Sequence, residues 1–167
     1  GATCTACAAG KYKLTAGNVA CTDCDGNGSG CGGTTAGFCN AGYSSTNGVL
    51  CTACTAGTNF KTAAGNVACT ACDTNGCDSA TTTSPGTCNA GYTSDDGGVT
   101  CTACAAGTYK TAAGNGACTV CDGNGCNGNT GTAKTGPGNC NAGYGSTNSG
   151  ATCTACAAGK YKLTAGN

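Results

Sequence analysis

The sequence predicts small disulfide-rich repeats: an extended rod of serial modules made of short β-hairpins and loops, with no hydrophobic core and little or no helix. Three observations predict it. Twenty of the 167 residues are cysteine, the density of a disulfide scaffold. Leu, Val and Phe together number ten, and Ile, Met and Trp are absent. That is far below the roughly 20 % of large apolar residues at which folding by core burial becomes doubtful. Finally, Gly1 to Asn18 (GATCTACAAGKYKLTAGN) returns letter for letter as Gly150 to Asn167. Such a return marks a piece of a periodic array, whose ends are then not expected to be natural termini.

The cysteines set the short period. Cys4, Cys51, Cys101 and Cys153 each open a CTAC tetrapeptide, at separations of 47, 50 and 52 residues. The expected repeats are residues 4–50, 51–100 and 101–152, and residues 153–167 begin another, identical to 4–18. Each full repeat carries six cysteines: Cys4, Cys7, Cys21, Cys24, Cys31 and Cys39 in the first; Cys51, Cys54, Cys69, Cys72, Cys77 and Cys88 in the second; Cys101, Cys104, Cys118, Cys121, Cys126 and Cys140 in the third. Crosslinks at this density replace the missing core. In the chain-entropy account, a bond closing a loop of about 15 residues contributes about 3 kcal/mol by constraining the unfolded chain.

Within a repeat the first segment runs between CxxC pairs, as in CAAGKYKLTAGNVAC from Cys7 to Cys21. An aromatic recurs there beside a lysine (Tyr12, Phe60, Tyr109, Tyr161) and is expected to lie over a disulfide. A Gly-Asn pair follows (Gly17-Asn18, Gly65-Asn66, Gly114-Asn115). Short extended segments around Gly-Asn predict a small hairpin. The second segment, CDGNGSGC, CDTNGC or CDGNGC, predicts a tight Asn-Gly turn. The third ends in CNAGY at Cys39, Cys88 and Cys140, and eleven or twelve residues after that cysteine lead to the next CTAC.

Several function classes are disfavoured. No His or Glu is present, so neither an imidazole base nor an Asp/Glu acid–base couple can be assembled. The adjacent pair Asp95-Asp96 reads as a loop tip, and an enzyme is not expected. Seven lysines balance seven aspartates and are scattered, which is no nucleic-acid footprint. No apolar run approaches the roughly 20 residues of a membrane-spanning helix. The spacing C-x2-C-x13-C-x2-C fits a tetrathiolate zinc site. The two extra cysteines per repeat and the absence of His weigh against it, and no cofactor is called for. Asp25, Asp73 and Asp122 open DGNG or DTNG segments resembling the start of a calcium loop, against the plainer reading as Asx-type turns. Asn27 lies in the one N-x-[ST] sequon and is a glycan candidate; Ser and Thr in loops, such as Thr81 to Ser84, are candidates for O-glycans.

The register C-x13-C-x2-C-x6-C-x7-C-x11-C from Cys7 to Cys51 resembles the cysteine-rich modules of tumour-necrosis-factor receptors. The phrase from Cys101 to Cys121 is similar to ephrin-receptor-type repeats. In overall style, with tandem six-cysteine units rich in Ala, Thr, Gly and Asn, the chain resembles the surface immobilisation antigens of ciliates. The receptor resemblance implies a pairing: Cys7–Cys21, Cys24–Cys39 and Cys31–Cys51, then Cys54–Cys69, Cys72–Cys88 and Cys77–Cys101, then Cys104–Cys118, Cys121–Cys140 and Cys126–Cys153. It leaves Cys4 and Cys156 for inter-repeat or intersubunit bonds. An alternative closes each repeat on itself through Cys4–Cys21, Cys7–Cys24 and Cys31–Cys39, and the sequence does not choose between them.

These readings converge on a non-enzymatic protein of the extracellular space or cell surface. Disulfides persist in such oxidising compartments. It is expected to form a coat or filament by head-to-tail continuation of its repeats, its partner being itself. The rival reading is a receptor-like ectodomain that binds a protein ligand.

Overall fold

A computed structural model describes residues 3–77, 81–126 and 131–167. Among the described residues there is no helix, and fourteen strands of two residues each pair into seven antiparallel ribbons. In chain order, β1 (Lys11–Tyr12) pairs with β2 (Thr22–Asp23), and β3 (Gly28–Ser29) with β4 (Phe38–Cys39). Next, β5 (Tyr43–Ser44) pairs with β6 (Thr52–Ala53), and β7 (Asn59–Phe60) with β8 (Thr70–Ala71). Then β9 (Tyr92–Thr93) pairs with β10 (Thr102–Ala103), β11 (Thr108–Tyr109) with β12 (Thr119–Val120), and β13 (Tyr144–Gly145) with β14 (Thr154–Ala155). Thr, Tyr, Phe and Val favour these short pleats, and the surrounding Gly, Asn and Asp stop them. A two-stranded ribbon is marginal by itself. Here covalent bonds hold what burial cannot.

Six of the seven ribbons fall into two recurring kinds. β1/β2, β7/β8 and β11/β12 lie inside a repeat, each beside a bridge: Cys7–Cys21, Cys54–Cys69 and Cys104–Cys118. The expected hairpin forms, but the Gly-Asn pair is not its turn. β1 ends at Tyr12 and β2 begins at Thr22, so Gly17-Asn18 sits mid-way along a long loop. The second kind, β5/β6, β9/β10 and β13/β14, joins the CNAGY segment of one repeat to the CTAC segment of the next.

What is buried is mostly sulfur. Cys39, Cys88, Cys104 and Cys140 are the largest fully buried side chains, and Cys51, Cys101 and Cys153 are buried beside them. Among the described residues only Tyr12 and Phe60 join them as large apolar groups, whereas Leu14, Val19, Leu50, Val67 and Leu163 are exposed. The aliphatic side chains therefore do not organise the fold.

The bridges correct the pairing implied by the receptor resemblance. Cys24 bonds Cys31 and Cys39 bonds Cys51, in place of Cys24–Cys39 and Cys31–Cys51. Likewise Cys88 bonds Cys101, Cys121 bonds Cys126 and Cys140 bonds Cys153. That displaces Cys72–Cys88, Cys77–Cys101, Cys121–Cys140 and Cys126–Cys153. Cys72 and Cys77 are also disulfide-bonded. Cys7–Cys21 also displaces the self-closed alternative, with its Cys4–Cys21, Cys7–Cys24 and Cys31–Cys39 bonds. The reason is local. The Asp25 turn, closed by Gly28 N donating to Asp25 O at 3.2 Å, folds the chain back. It brings the Cys24 and Cys31 Cα atoms to 5.9 Å, within bonding range. Cys39 then faces the next CTAC, 5.5 Å away between Cα atoms.

The chain forms two compact units. One comprises Gly1–Cys72 and Ser79–Pro85; it contains Cys39–Cys51. The other comprises Asp73–Asp78 and Gly86–Asn167; it contains Cys88–Cys101 and Cys140–Cys153.

Candidate functional site

Cys39–Cys51, Cys88–Cys101 and Cys140–Cys153 each cross a repeat boundary expected from the CTAC period. The richest chemistry of the chain lies around these three bonds, and it is the same at each. The upstream repeat supplies a tail of sequence G-x-C-N-A-G-Y: residues 37–43, 86–92 and 138–144. The downstream repeat supplies the CTAC strand and a clip made of one lysine and the Gly-Asn pair five residues later.

The clip asparagine reads the tail backbone. Asn66 accepts from the Cys39 N–H at 3.1 Å and donates to Gly37 O at 3.2 Å. Asn115 does the same with Cys88 N at 3.0 Å and Gly86 O at 3.3 Å. Asn167 repeats it with Cys140 N at 3.2 Å and Gly138 O at 3.3 Å. One carboxamide thus serves as a neighbouring strand would, satisfying a donor and an acceptor on the same edge. The glycine before it adds a backbone bond: Gly65, Gly114 and Gly166 donate to Cys39 O, Cys88 O and Cys140 O at 2.8, 2.8 and 2.9 Å.

The lysine closes the clip onto the tail. Lys61 is only 5 % exposed. Its ammonium donates to Gly65 O at 2.6 Å and to Cys39 O and Asn40 O at 3.4 Å. Lys110 donates to Tyr92 O at 2.7 Å and to Gly114 O; Lys162 donates to Tyr144 O at 2.6 Å and to Gly166 O. Backbone carbonyls surround these ammonium groups, and burial pushes the Lys110 ammonium below its ordinary pKa. The lysine main chain is tied as well: Gly42, Gly91 and Gly143 donate to Lys61 O, Lys110 O and Lys162 O, each at 2.9 Å.

Two further groups fit the joint tightly. Gly48, Gly98 and Gly150 press their backbones against the tail carbonyl. A Cβ on them would stand 2.3, 2.4 and 2.1 Å from Gly37 O, Gly86 O and Gly138 O. The carboxylates of Asp25 and Asp73 span turn and joint. One oxygen accepts from Asn27 N or Asn75 N at 2.8 Å, the other from Cys51 N at 3.1 Å or Cys101 N at 3.2 Å. These bonds hold both carboxyls below the usual carboxylate range. Asp122 accepts from Asn124 N at 2.9 Å in the same Asx turn. The calcium candidates are thus turn caps. Among the described residues no group of three or more His, Cys, Asp or Glu could hold a metal ion. Asn27 is exposed, and the sequon hydroxyl of Ser29 donates to Asn40 Oδ1.

The two identical eighteen-residue copies show opposite halves of this joint. In the second copy, Asn167, Gly166 and Lys162 grip a tail, but Tyr161 is 82 % exposed. In the first, Tyr12 is 4 % exposed because Lys13 N donates to Gly33 O at 2.9 Å and the chain closes over it. There Gly17 and Asn18 are exposed and make no tail bond among the described residues, and the Lys13 ammonium donates to Gly17 O. An open groove of about 850 Å³ borders this copy, lined by Cys4, Lys13, Leu14, Gly17, Asn18 and Thr34 among others. The intervening copies have both halves, since Lys61 N and Lys110 N donate to Thr82 O and Lys134 O at 2.9 Å.

Cys4 and Cys156 are the free cysteines among the described residues; Cys4 is exposed and Cys156 half-buried. Cys4 holds the place of Cys51, Cys101 and Cys153, whose partners are tail cysteines. Cys156 holds the place of Cys7, Cys54 and Cys104, whose partners lie 14 or 15 residues downstream. The clip escaped the sequence reading, although its signal was present. A lysine precedes an asparagine by five positions at Lys13/Asn18, Lys61/Asn66, Lys110/Asn115 and Lys162/Asn167. No known protein family, curated protein or solved structure matches the chain.

Proposed function

We propose that the chain is a non-enzymatic structural repeat protein of the extracellular space or cell surface, and that its repeats continue head to tail into a coat or filament. The joint carries this reading. Its disulfide, ribbon and Lys–Asn clip recur three times in one chain. Every feature conserved from one joint to the next serves to hold a repeat to its neighbour. Bridges at this density suit an oxidising compartment. Repeat arrays in which each unit contacts its neighbours extend without limit when the contact does not close. The likeness of style to ciliate surface immobilisation antigens supports the coat, and Asn27 is exposed where a glycan would need to attach.

Electron microscopy of the native material tests this. Linear particles or a layer with a repeat set by the joint are expected. Isolated single chains, together with capture of one specific soluble ligand, would overturn the reading in favour of a receptor-like ectodomain.

A further inference from the structure

We infer that Asn27 carries an N-linked sugar whose first residue, an N-acetylhexosamine, seats on the ring of Phe38. This deepens the extracellular reading above and rests on it, because such sugars are added to secreted chains. The β3/β4 ribbon carries the inference. Ser29 stands opposite Phe38 and Gly28 opposite Cys39, and Asn40 N donates to Asn27 O at 2.9 Å. Side chains two residues apart share a face. Asn27, Ser29, Phe38 and Asn40 therefore lie on one face, where Ser29 Oγ donates to Asn40 Oδ1. Gly28 and Cys39 turn to the other, against sulfur: a Cβ on Gly28 would stand 3.6 Å from Cys51 Sγ. Cross-strand diagonal neighbours such as Asn27 and Phe38 are within reach of an aromatic or other long group.

Phe38 has no evident use on a bare chain. Its ring leans on Gly30, where a Cβ would stand 3.0 Å from Cε1, yet it is 43 % exposed. The aromatics of the clip segments in this repeat and the next, Tyr12 and Phe60, are 4 % exposed. Sequon and ring also occur together. In the other two repeats Gly76 and Gly125 run directly into Cys77 and Cys126, so no sequon forms, and Thr87 and Asn139 stand where Phe38 does. Ser29 and Gly30 are the two extra residues of the first repeat. They complete the sequon and lengthen the pairing into a ribbon that presents Phe38 beside it. The C–H face of a pyranose is apolar, and covering an exposed aromatic face with it is favourable.

The donor is a lipid-diphosphate-linked oligosaccharide. Asn27 Nδ2 attacks the anomeric carbon, and an N–C bond forms as the C–O bond to the diphosphate breaks. The electron pair leaves with the lipid diphosphate, and one amide proton passes to solvent. The substituted amide keeps its other N–H, which suffices for the hydrogen bond that the Asn27 side chain gives the Asp25 carboxylate.

The test compares the full chain secreted from a glycosylating eukaryotic host with the same chain made glycan-free in a bacterial periplasm, each with and without Phe38→Thr. Threonine holds this place in the second repeat, so the variant should fold with its bridges in place. Mass mapping should find N-acetylhexosamine on Asn27. The N-acetyl methyl resonance of that sugar should lie upfield, under the ring current, and return to its ordinary position in Phe38→Thr. The sugar should slow hydrogen exchange of the Asn40 amide roughly fivefold when Phe38 is present and by less than twofold in Phe38→Thr. A bare Asn27, or a sugar whose methyl shift and amide protection are indifferent to Phe38→Thr, overturns the inference. A stacked sugar on material that images as single chains leaves the inference standing and sinks the coat; filaments with a bare Asn27 do the reverse.

Discussion

Asn66 takes the place of a β-strand beside Cys39. Twenty-seven residues away in sequence, it accepts from the Cys39 N–H and donates to Gly37 O, satisfying the edge that Cys39 turns toward the next repeat. Asn66→Ala should therefore leave a part-buried donor and acceptor without partners, at a cost of about 1–3 kcal/mol. Hydrogen exchange at the Cys39 amide, measured without reductant, should accelerate by roughly tenfold or more. Asn18→Ala, in the same local sequence without a tail, should change the stability of the isolated chain by less than about 0.5 kcal/mol. Equal effects of the two substitutions would contradict the clip.

Gly98 and its neighbour Gly97 separate strain from collision. Both have positive φ, 97° and 79°, so alanine at either pays about 1–2 kcal/mol for the left-handed backbone. Only at Gly98 does a Cβ meet another atom, Gly86 O at 2.4 Å; nothing lies within 4 Å of a Cβ at Gly97. Gly98→Ala should lower the thermal midpoint more than Gly97→Ala and should expose the Cys88–Cys101 bond to mild reductant. If the two variants melt together, the close approach has no energetic weight.

Bridge topology can be read by digestion without reduction. Peptides joining Cys24 to Cys31 and Cys39 to Cys51 are expected, and none joining Cys24 to Cys39. Cys39→Ser with Cys51→Ser should destabilise the first joint by about 2–5 kcal/mol, the usual consequence of removing a native bridge from a small secreted domain. The Cys88–Cys101 joint should keep its protection. A mapped Cys31–Cys51 peptide would restore the receptor-like order.

Acid should spare one loop longer than carboxylates generally allow. The Asp96 carboxylate accepts from the Ser94 hydroxyl at 2.6 Å and from Thr100 N at 3.0 Å. These bonds lower its pKa from the ordinary 3.8 to about 2. The folded value lies below the unfolded one. The loop's stabilisation is thus complete above pH 3.8 and is lost as pH falls through about 2. The Thr100 amide resonance should titrate with a midpoint near 2. The matching loops carry Asn47 and Asn148, which accept from Val49 N and Thr152 N at 2.9 Å, and those amides should not titrate with their caps. A Thr100 midpoint near 3.8 would show the cap to be absent.

Much of this fold was legible because cysteine is a blunt signal. Its density announced the scaffold, its period the repeats, and the absence of large aliphatics the lack of an ordinary core. Connectivity was not legible, because six cysteines admit fifteen pairings and spacing alone does not say which way a turn points. The Asp25 turn decided it, by delivering Cys31 to Cys24 and leaving Cys39 for Cys51. Lys61 and Asn66 were overlooked for a different reason. Lysine and asparagine beside glycine ordinarily mark solvated loops, and burial in a cage of carbonyls depends on a tail more than twenty residues upstream. Cys4 and Cys156 are the free cysteines among the described residues, and the kind of partner that their positions take elsewhere in the chain is told by the observed pairing alone.

The boundary-crossing bonds also fix how a pull on such an array would travel. Tension entering at Cys39 passes through sulfur to Cys51 and leaves residues 40–50 slack; it does the same at Cys88–Cys101 and Cys140–Cys153. The Cys7–Cys21, Cys54–Cys69 and Cys104–Cys118 bonds bypass the clip loops in turn. Load then runs along a spine of these bridges and the backbone between them, and the residues they bypass add no length while the bridges hold. The loops off that spine bear no force, so they can change in sequence without weakening the thread.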